Sequence, residues 1–431
     1  MDMLKRLRGQ AEQVEVVRVH NESTTVSFDA NVLKSSQVEE TRGVAVRVVK
    51  DGRLGFAASS DESASERLVT NALESAAHGE AIPIRFPPPQ PAPGVAAYDP
   101  AVASLTIPRF VEIGREMIDY LLQVEPEARI SVQLRRSVQR LSVRNQAGAD
   151  IAFEQTPLSL VVEASLVRGD DILLVYELAG TTAWDDDYLA LARDLGEKLI
   201  LARRMASLKS GRMPVLFAPA GVQVLALPLL QGLTGDNVYK RVSPLAGKVG
   251  EKLFDAKLTI ADDATLDGRY ASAPYDDEGV PHRRNVLVER GVLKGFMYDL
   301  KTAARSGVES TGNGSRSLFS QPSPAPTNWI IEPGETPLAE MIRGIDEGLL
   351  VEDALGLGQG NVLSGAFSNP LNLAYKIEKG DIVGRVKDVS LAGNIYELLP
   401  RVAAISREAK WIFNLRLPYI LLPEVKVVGT E

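Results

Sequence analysis

The chain has no cysteine and only three histidines in 431 residues. The first absence removes disulfides, thiolate metal ligands and a thiol nucleophile together. The second leaves little material for a zinc site, because His20, His78 and His282 stand far apart in the sequence and none has a companion histidine nearby. No apolar run approaches about 18 residues, so no transmembrane helix is expected. The opening "MDMLKRLRGQ" has no apolar stretch behind its basic residues, which argues against a signal peptide and for a cytoplasmic protein. Positive charge is also in deficit. The net charge of −8 argues against nucleic acid as the main partner, and the one basic run, "LRRSVQRLSVR" (134–144), reads as the solvated face of strands. No G-x-S-x-G elbow and no P-loop occurs.

What is present is a chain that is 45% hydrophobic and 24% charged, long enough for two or three domains with cores of their own. Val44, Val46 and Val48 alternate at period two, and Lys50-Asp51-Gly52 supplies a hairpin turn, so residues 14–59 read as strands. Leu68, Ala72, Leu73 and Ala76 form a helical stripe, for which Ser63 and Glu66 are candidate capping residues. Residues 83–94 are half proline and predict a stiff strap. Phe110, Ile113, Met117, Leu121 and Val124 mark a helix after Pro108, and residues 130–180 read as strands. Arg168-Gly169-Asp170 reads as a hairpin turn rather than an adhesion motif. Another amphipathic helix follows, and a domain boundary is placed near Gly211. The expected division is 1–210, an N-terminal α+β domain carrying the strap, and 211–431. The second half reads as strands and hairpins from 258 to 296, a helix with Thr336 as cap, and a helix near 394–409. Elements do not alternate regularly. The expected class is α+β with mostly antiparallel sheets and packed helices.

Three stretches attract chemical attention. "YDDEGVPH" offers Asp276, Asp277, Glu278 and His282, all metal-ligating types, but their spacing matches no metal loop, and an acidic turn is the plainer reading. Gly356, Gly358 and Gly360 alternate in a loop that either lines a substrate channel or simply connects strands. "AGVQVLALPLLQGLTGD" (220–236) is an almost wholly apolar helix interrupted by Pro228, expected to kink or end there.

That last stretch, with "LAGKVGEKLFD", "YDDEGVPHRRNVLVERGVLKGFMYDLKTA", "STGNGS", "TRGVAVRVVKDGRLGFAASSD" and the ending "LLPEVKVVG", resembles the TldD/PmbA family over nearly the whole chain. The resemblance implies a heteromeric peptidase. Its TldD-type subunit carries His-Glu-x-x-x-His and a cysteine and holds zinc, with the glutamate as general base; its TldE-type subunit lacks them. Counted back from Gly235-Asp236, ligand, base and ligand positions fall on Ala226, Leu227 and Gln231. The chain therefore reads as TldE-like: no catalytic residue, no metal or cofactor of its own, and zinc in a TldD-like partner. The partners so implied are that subunit and unfolded peptides, with neither nucleic acid nor membrane. Asp276, Asp277, Glu278, Ser310, Thr311, Gly312 and Asn313 become candidate loops of a substrate channel, the "DDEG" turn being structural. Two other readings stay open: an independent hydrolase with an unrecognised catalytic group, and a homo-oligomeric peptide-binding module.

Overall fold

The computed structural model describes residues 3–61, 63 and 65–429. Seven strands build a first sheet: β1 (Gln13–Asp29), β2 (Val32–Lys50), β3 (Arg53–Ser59), β4 (Arg129–Asn145), β5 (Asp150–Gln155), β6 (Leu158–Arg168) and β7 (Asp171–Thr181). Every pairing is antiparallel, in the order β3-β2-β1-β4-β6-β7, with β5 against β4. The β2–β3 turn puts Asp51 and Gly52 at φ 51° and 67°, the left-handed pair that a two-residue hairpin of matching twist requires. Arg168-Gly169-Asp170 is the β6–β7 turn.

Helices cover this sheet where its alternation is apolar. α1 (Met3–Leu7) and α2 (Ser65–Ala77) close over Val14, Val16, Val44, Val46 and Val48. The Ser63 hydroxyl donates to Asp61. The proline strap runs without regular structure, and the Gln13 amide pins it by donating to the Ile84 carbonyl and accepting from the Phe86 N–H. After the short α3 (Pro100–Ala103), α4 (Ile107–Val124) and α5 (Ala190–Leu201) follow. α4 buries Phe110, Ile113, Met117 and Leu121 in one cluster with Ile130, Val132 and Leu134. Each such side chain contributes about 1.5–3 kcal/mol by leaving water.

The remaining strands are β8 (Gly211–Phe217), β9 (Ile260–Asp263), β10 (Arg284–Glu289), β11 (Val292–Leu293), β12 (Gly314–Ser315), β13 (Ser323–Pro324), β14 (Trp329–Ile331), β15 (Glu347–Ala354), β16 (Ala366–Glu378), β17 (Asp381–Arg385), β18 (Ser390–Asn394), β19 (Ala404–Ile412) and β20 (Leu415–Val428). All but β12 and β13 share one eleven-stranded sheet, in which the named strands pair parallel at β14–β20 and β15–β8 and antiparallel elsewhere among the described residues. β8 pairs with β15 on one side and β20 on the other, so the path β8-β15-β16-β18-β20 closes into a ring. Its helices are α6 (Gln223–Gly232), α7 (Gly235–Tyr239), α8 (Leu300–Ser306), α9 (Leu338–Arg343) and α10 (Ile395–Leu398). The architecture is α+β with mostly antiparallel sheets.

Three local expectations are corrected. Residues 264–283 form turns rather than strands. α9 takes Pro337, not Thr336, at its N-cap, and the Glu408 carboxylate accepts from the Leu338 N–H that a capping side chain would otherwise satisfy. The helix expected over 394–409 stops at α10 and a short 3₁₀ turn containing Pro400; from Ala404 the chain pairs with β20 instead. Pro228 is accommodated inside α6, which continues to Gly232.

The two halves share buried contacts. Leu350, Tyr375 and Ile377 lie in the same apolar cluster as Phe110 and Leu195. Lys198 on α5 sits 2.8 Å from both Glu177 and Glu352, and Tyr176 donates to Asp353 at 2.7 Å.

Candidate functional site

The apolar α6 helix lies along a cleft of about 170 Å³. Gln223, Leu227 and Pro228 form one wall, and the glycine-rich loop at 355–359 with the start of β16 forms the other. Gly356, Gly358 and Gly360 hold φ of 71°, 80° and 73°, so the loop's backbone stands free of bulky side chains. The three counted positions diverge. Leu227 faces the cleft, Ala226 is wholly buried in the second-half core, and Gln231 is exposed near the helix end. A methyl group, an isobutyl group and an outward amide cannot ligate zinc, so the residues present do not fit that metal. Among the described residues, no three His, Asp or Glu side chains are placed to share a metal ion.

A second cleft, about 410 Å³, opens between the halves. Gln139, Phe153 and Gln155 face Tyr270, Tyr275, Asp276, Asp277, His282 and Asn313 across it. Here the acidic turn and "STGNGSR" prove to be one unit. Asp276 accepts from the backbone of Glu278, Val280 and Gly314, each at 2.9 Å, and Asp277 accepts from the Arg316 N–H at 2.8 Å. Gly314 must be glycine: a Cβ there would stand 2.5 Å from the Glu278 carboxylate. Ser310, Thr311 and Gly312 turn away from the cleft wall. The Ser310 hydroxyl donates to the Tyr298 carbonyl, and the Thr311 hydroxyl accepts from the Tyr298 N–H at 2.7 Å and donates to Asn313 at 2.6 Å. Asn313 in turn donates to Asp262 at 2.7 Å.

Glu278 lies behind the wall, where sequence reasoning missed its partners. Arg47 donates to Glu278 at 2.6 Å and grips Glu15 with two bonds, at 3.1 and 2.5 Å. Arg316 reaches the same Glu15 at 2.8 Å. All four side chains are at most 1% exposed. A signal existed. Glu15 in "QVEVV" and Arg47 in "VAVRVV" are charges inside apolar runs, and the hairpin register sets them directly opposite.

Burial governs titration here. It raises Asp276 far above the usual range, aided by Glu278, and raises Asp277 and Glu278 as well. Asp262 is pushed up to about 6 by burial. Burial alone would also raise Glu15, but Arg316 and Arg47 outweigh it and bring Glu15 down. The buried His282 imidazole falls to about 4 from 6.5. Folding thus holds it neutral while the unfolded ring protonates below about pH 6.5. Its contribution is complete above that pH and is lost as the pH falls towards 4. In His282→Gln, stability measured by urea unfolding at pH 7 and pH 4.5 should fall less with acid than in the wild type, by about 2–3 kcal/mol. An unchanged difference would mean that His282 is not held neutral.

Comparison with known proteins agrees with the geometry. The family model described as PmbA/TldA metallopeptidase C-terminal domain matches residues 210–429, and that of PmbA/TldA metallopeptidase domain 1 matches 14–77. The crystal structure of TldE from Thermococcus kodakarensis superimposes with a TM-score of 0.91 at 26% identity, covering 99% of each chain. An uncharacterized protein of Methanocaldococcus jannaschii is 28% identical over 92% of this chain and 93% of its own length. A metalloprotease TldD homolog of Haemophilus influenzae is 34% identical over 47% of this chain and 42% of its own. A family match that spans the closed ring, α6 and the acidic turn, with a likeness in fold over both halves, leaves one assignment: the chain belongs to the TldD/PmbA family.

Proposed function

We propose that this chain is the non-catalytic, TldE-like subunit of a heteromeric, zinc-dependent peptidase acting on unfolded peptides in the cytoplasm. What supports the reading is α6: at the positions to which the family resemblance assigns ligand, base and ligand, it carries Ala226, Leu227 and Gln231. Water is a poor nucleophile near neutral pH unless a metal lowers its pKa. A chain without ligands or base contributes shape instead. The cleft between α6 and the glycine loop offers backbone groups to an extended peptide, a mode of binding with little sequence preference. Zinc and the general base belong, on this reading, to a TldD-like partner.

A peptide-release assay on each subunit alone and on the pair tests it. Cleavage of unfolded peptides is expected only in the mixture. It should vanish with a chelator or when the partner's glutamate is replaced, and should change little in Gln231→Ala. Full activity from the partner alone, undiminished without this chain, would end the proposal.

A further inference from the structure

The α6 cleft contains an unfinished stretch of sheet. β15 pairs with β16 as far as Ala354, near Leu371, and the chain then leaves the sheet through the glycine-rich loop. β16 starts earlier, at Ala366, and over residues 366–370 it is paired to β18 on one side. Among the described residues no strand pairs with the other side of this stretch. Antiparallel strands alternate between residues that bond across the pair and residues whose main-chain groups turn away. Gly365 accepts from the Ile395 N–H, and the Leu371 N–H donates to Val389, so residues 365, 367, 369 and 371 address β18. Ala366, Ser368 and Pro370 address the open side. There the Pro370 carbonyl accepts from the Leu355 N–H at 2.8 Å, the last bond in the line of β15, and the Ala366 N–H donates to the Ser364 hydroxyl at 3.3 Å. Among the described residues nothing bonds to the Ser368 N–H, the Ser368 carbonyl or the Ala366 carbonyl. Both residues are exposed.

The surroundings decide what fits. Gln223 and Leu227 of α6 stand on one side and the loop at 355–359 on the other, in a cleft of about 170 Å³, which admits a single chain and not the edge of another folded sheet. None of the residues lining the cleft is ionisable. A charged side chain brought into it would lose water and meet no opposite charge. Main-chain groups and uncharged side chains lose little there, because the free carbonyls and N–H take up their hydrogen bonds.

We propose that an extended peptide segment without charged side chains adds to β16, antiparallel to it, in the lane that β15 leaves empty. One residue of the segment exchanges both main-chain bonds with Ser368, and the next but one donates to the Ala366 carbonyl. The inference rests on the peptide-handling reading above and names the strand and the class of segment. Fluorescence anisotropy of the full chain with a labelled neutral peptide of threonine, serine, valine and glutamine tests it. The wild type should bind. Ser368→Pro removes the free N–H without breaking a bond to β18, and Pro370 shows that this side of the strand accepts proline. It should keep the wild-type urea midpoint and bind about tenfold or more weakly. N-methylation of every peptide amide should have at least that effect, and it tests the main-chain bonds even if Ser368→Pro unfolds. Lysine or glutamate at the centre of the peptide should each weaken binding about tenfold. Equal binding by wild type and a folded Ser368→Pro, or by the plain and N-methylated peptides, would overturn the proposal. So would charged peptides that bind like the neutral one. No binding by this chain, while its mixture with the zinc-bearing partner still cleaves peptides, would overturn the site and leave the peptidase reading standing. Binding with the expected losses in a mixture that cleaves nothing would support the site and end that reading.

Discussion

Arg47→Met should cost about 3–5 kcal/mol of folding stability, the usual penalty for removing one partner of a buried ionic cluster. The guanidinium serves two carboxylates and also lies over the Phe86 ring, 5.0 Å from its centre. Methionine replaces much of the stem but none of the charge. Glu15 then keeps only Arg316, and Glu278 keeps the Leu300 N–H at 2.7 Å. Both carboxylates must stay ionised in a dry site or take up protons, and either is costly. Urea unfolding measures the loss. Arg212→Met, which breaks an exposed pair with Glu424, is the control and should stay within about 0.5 kcal/mol of wild type. A loss below about 1 kcal/mol in Arg47→Met would mean that the cluster does not hold the halves together.

The second large effect concerns α6. Installing the zinc motif by Ala226→His, Leu227→Glu and Gln231→His should yield neither a peptidase nor a tight zinc site. The triple variant should also lose about 2–5 kcal/mol of stability. The structure assigns the cost unevenly. Leu227 already faces the cleft, so a glutamate there keeps access to water, and Gln231 is exposed. Ala226 is fully buried among Leu225, Leu229 and their neighbours, so an imidazole must displace packed side chains. Metal analysis, peptide release and thermal unfolding of the triple variant and of Ala226→His alone separate these terms. Robust zinc-dependent cleavage by the triple variant would show that α6 retains the geometry of a metal helix.

Local pattern made much of this legible. Period-two valines and the Asp51-Gly52 turn announced the first sheet, and the α4 stripe announced its helix, because both signals are contained within a few residues. The strand at 404–412 was not legible. Its apolar residues suit either period, and pairing with β20, which includes a register shift between Ile405 and Ala409, decides the matter from outside the segment. The acidic turn was legible as a turn, but its burial was not. Three adjacent acids look like a solvated turn until Arg47, 231 residues away in sequence from Glu278, is brought against them. The glycine loop was visible as a loop, but its place beside Leu227 follows only from the course of β15 and β16.

The closed ring has a consequence for synthesis. β8, the first strand of the second half, is completed by β20, the last, and Ser210 and Gly429 tie the two ends by hydrogen bonds in both directions. The emerging chain presents β8 well before β20 and cannot close the ring until β20 has also left the ribosome. For that interval the edge of β8 stays unpaired, and its closure spans most of the half, an entropic cost that grows only slowly with length but delays every contact depending on it. The first half, whose hairpins close locally, can form as it emerges. The second must wait for β20, and during that wait its unpaired β8 edge is open to wrong pairing.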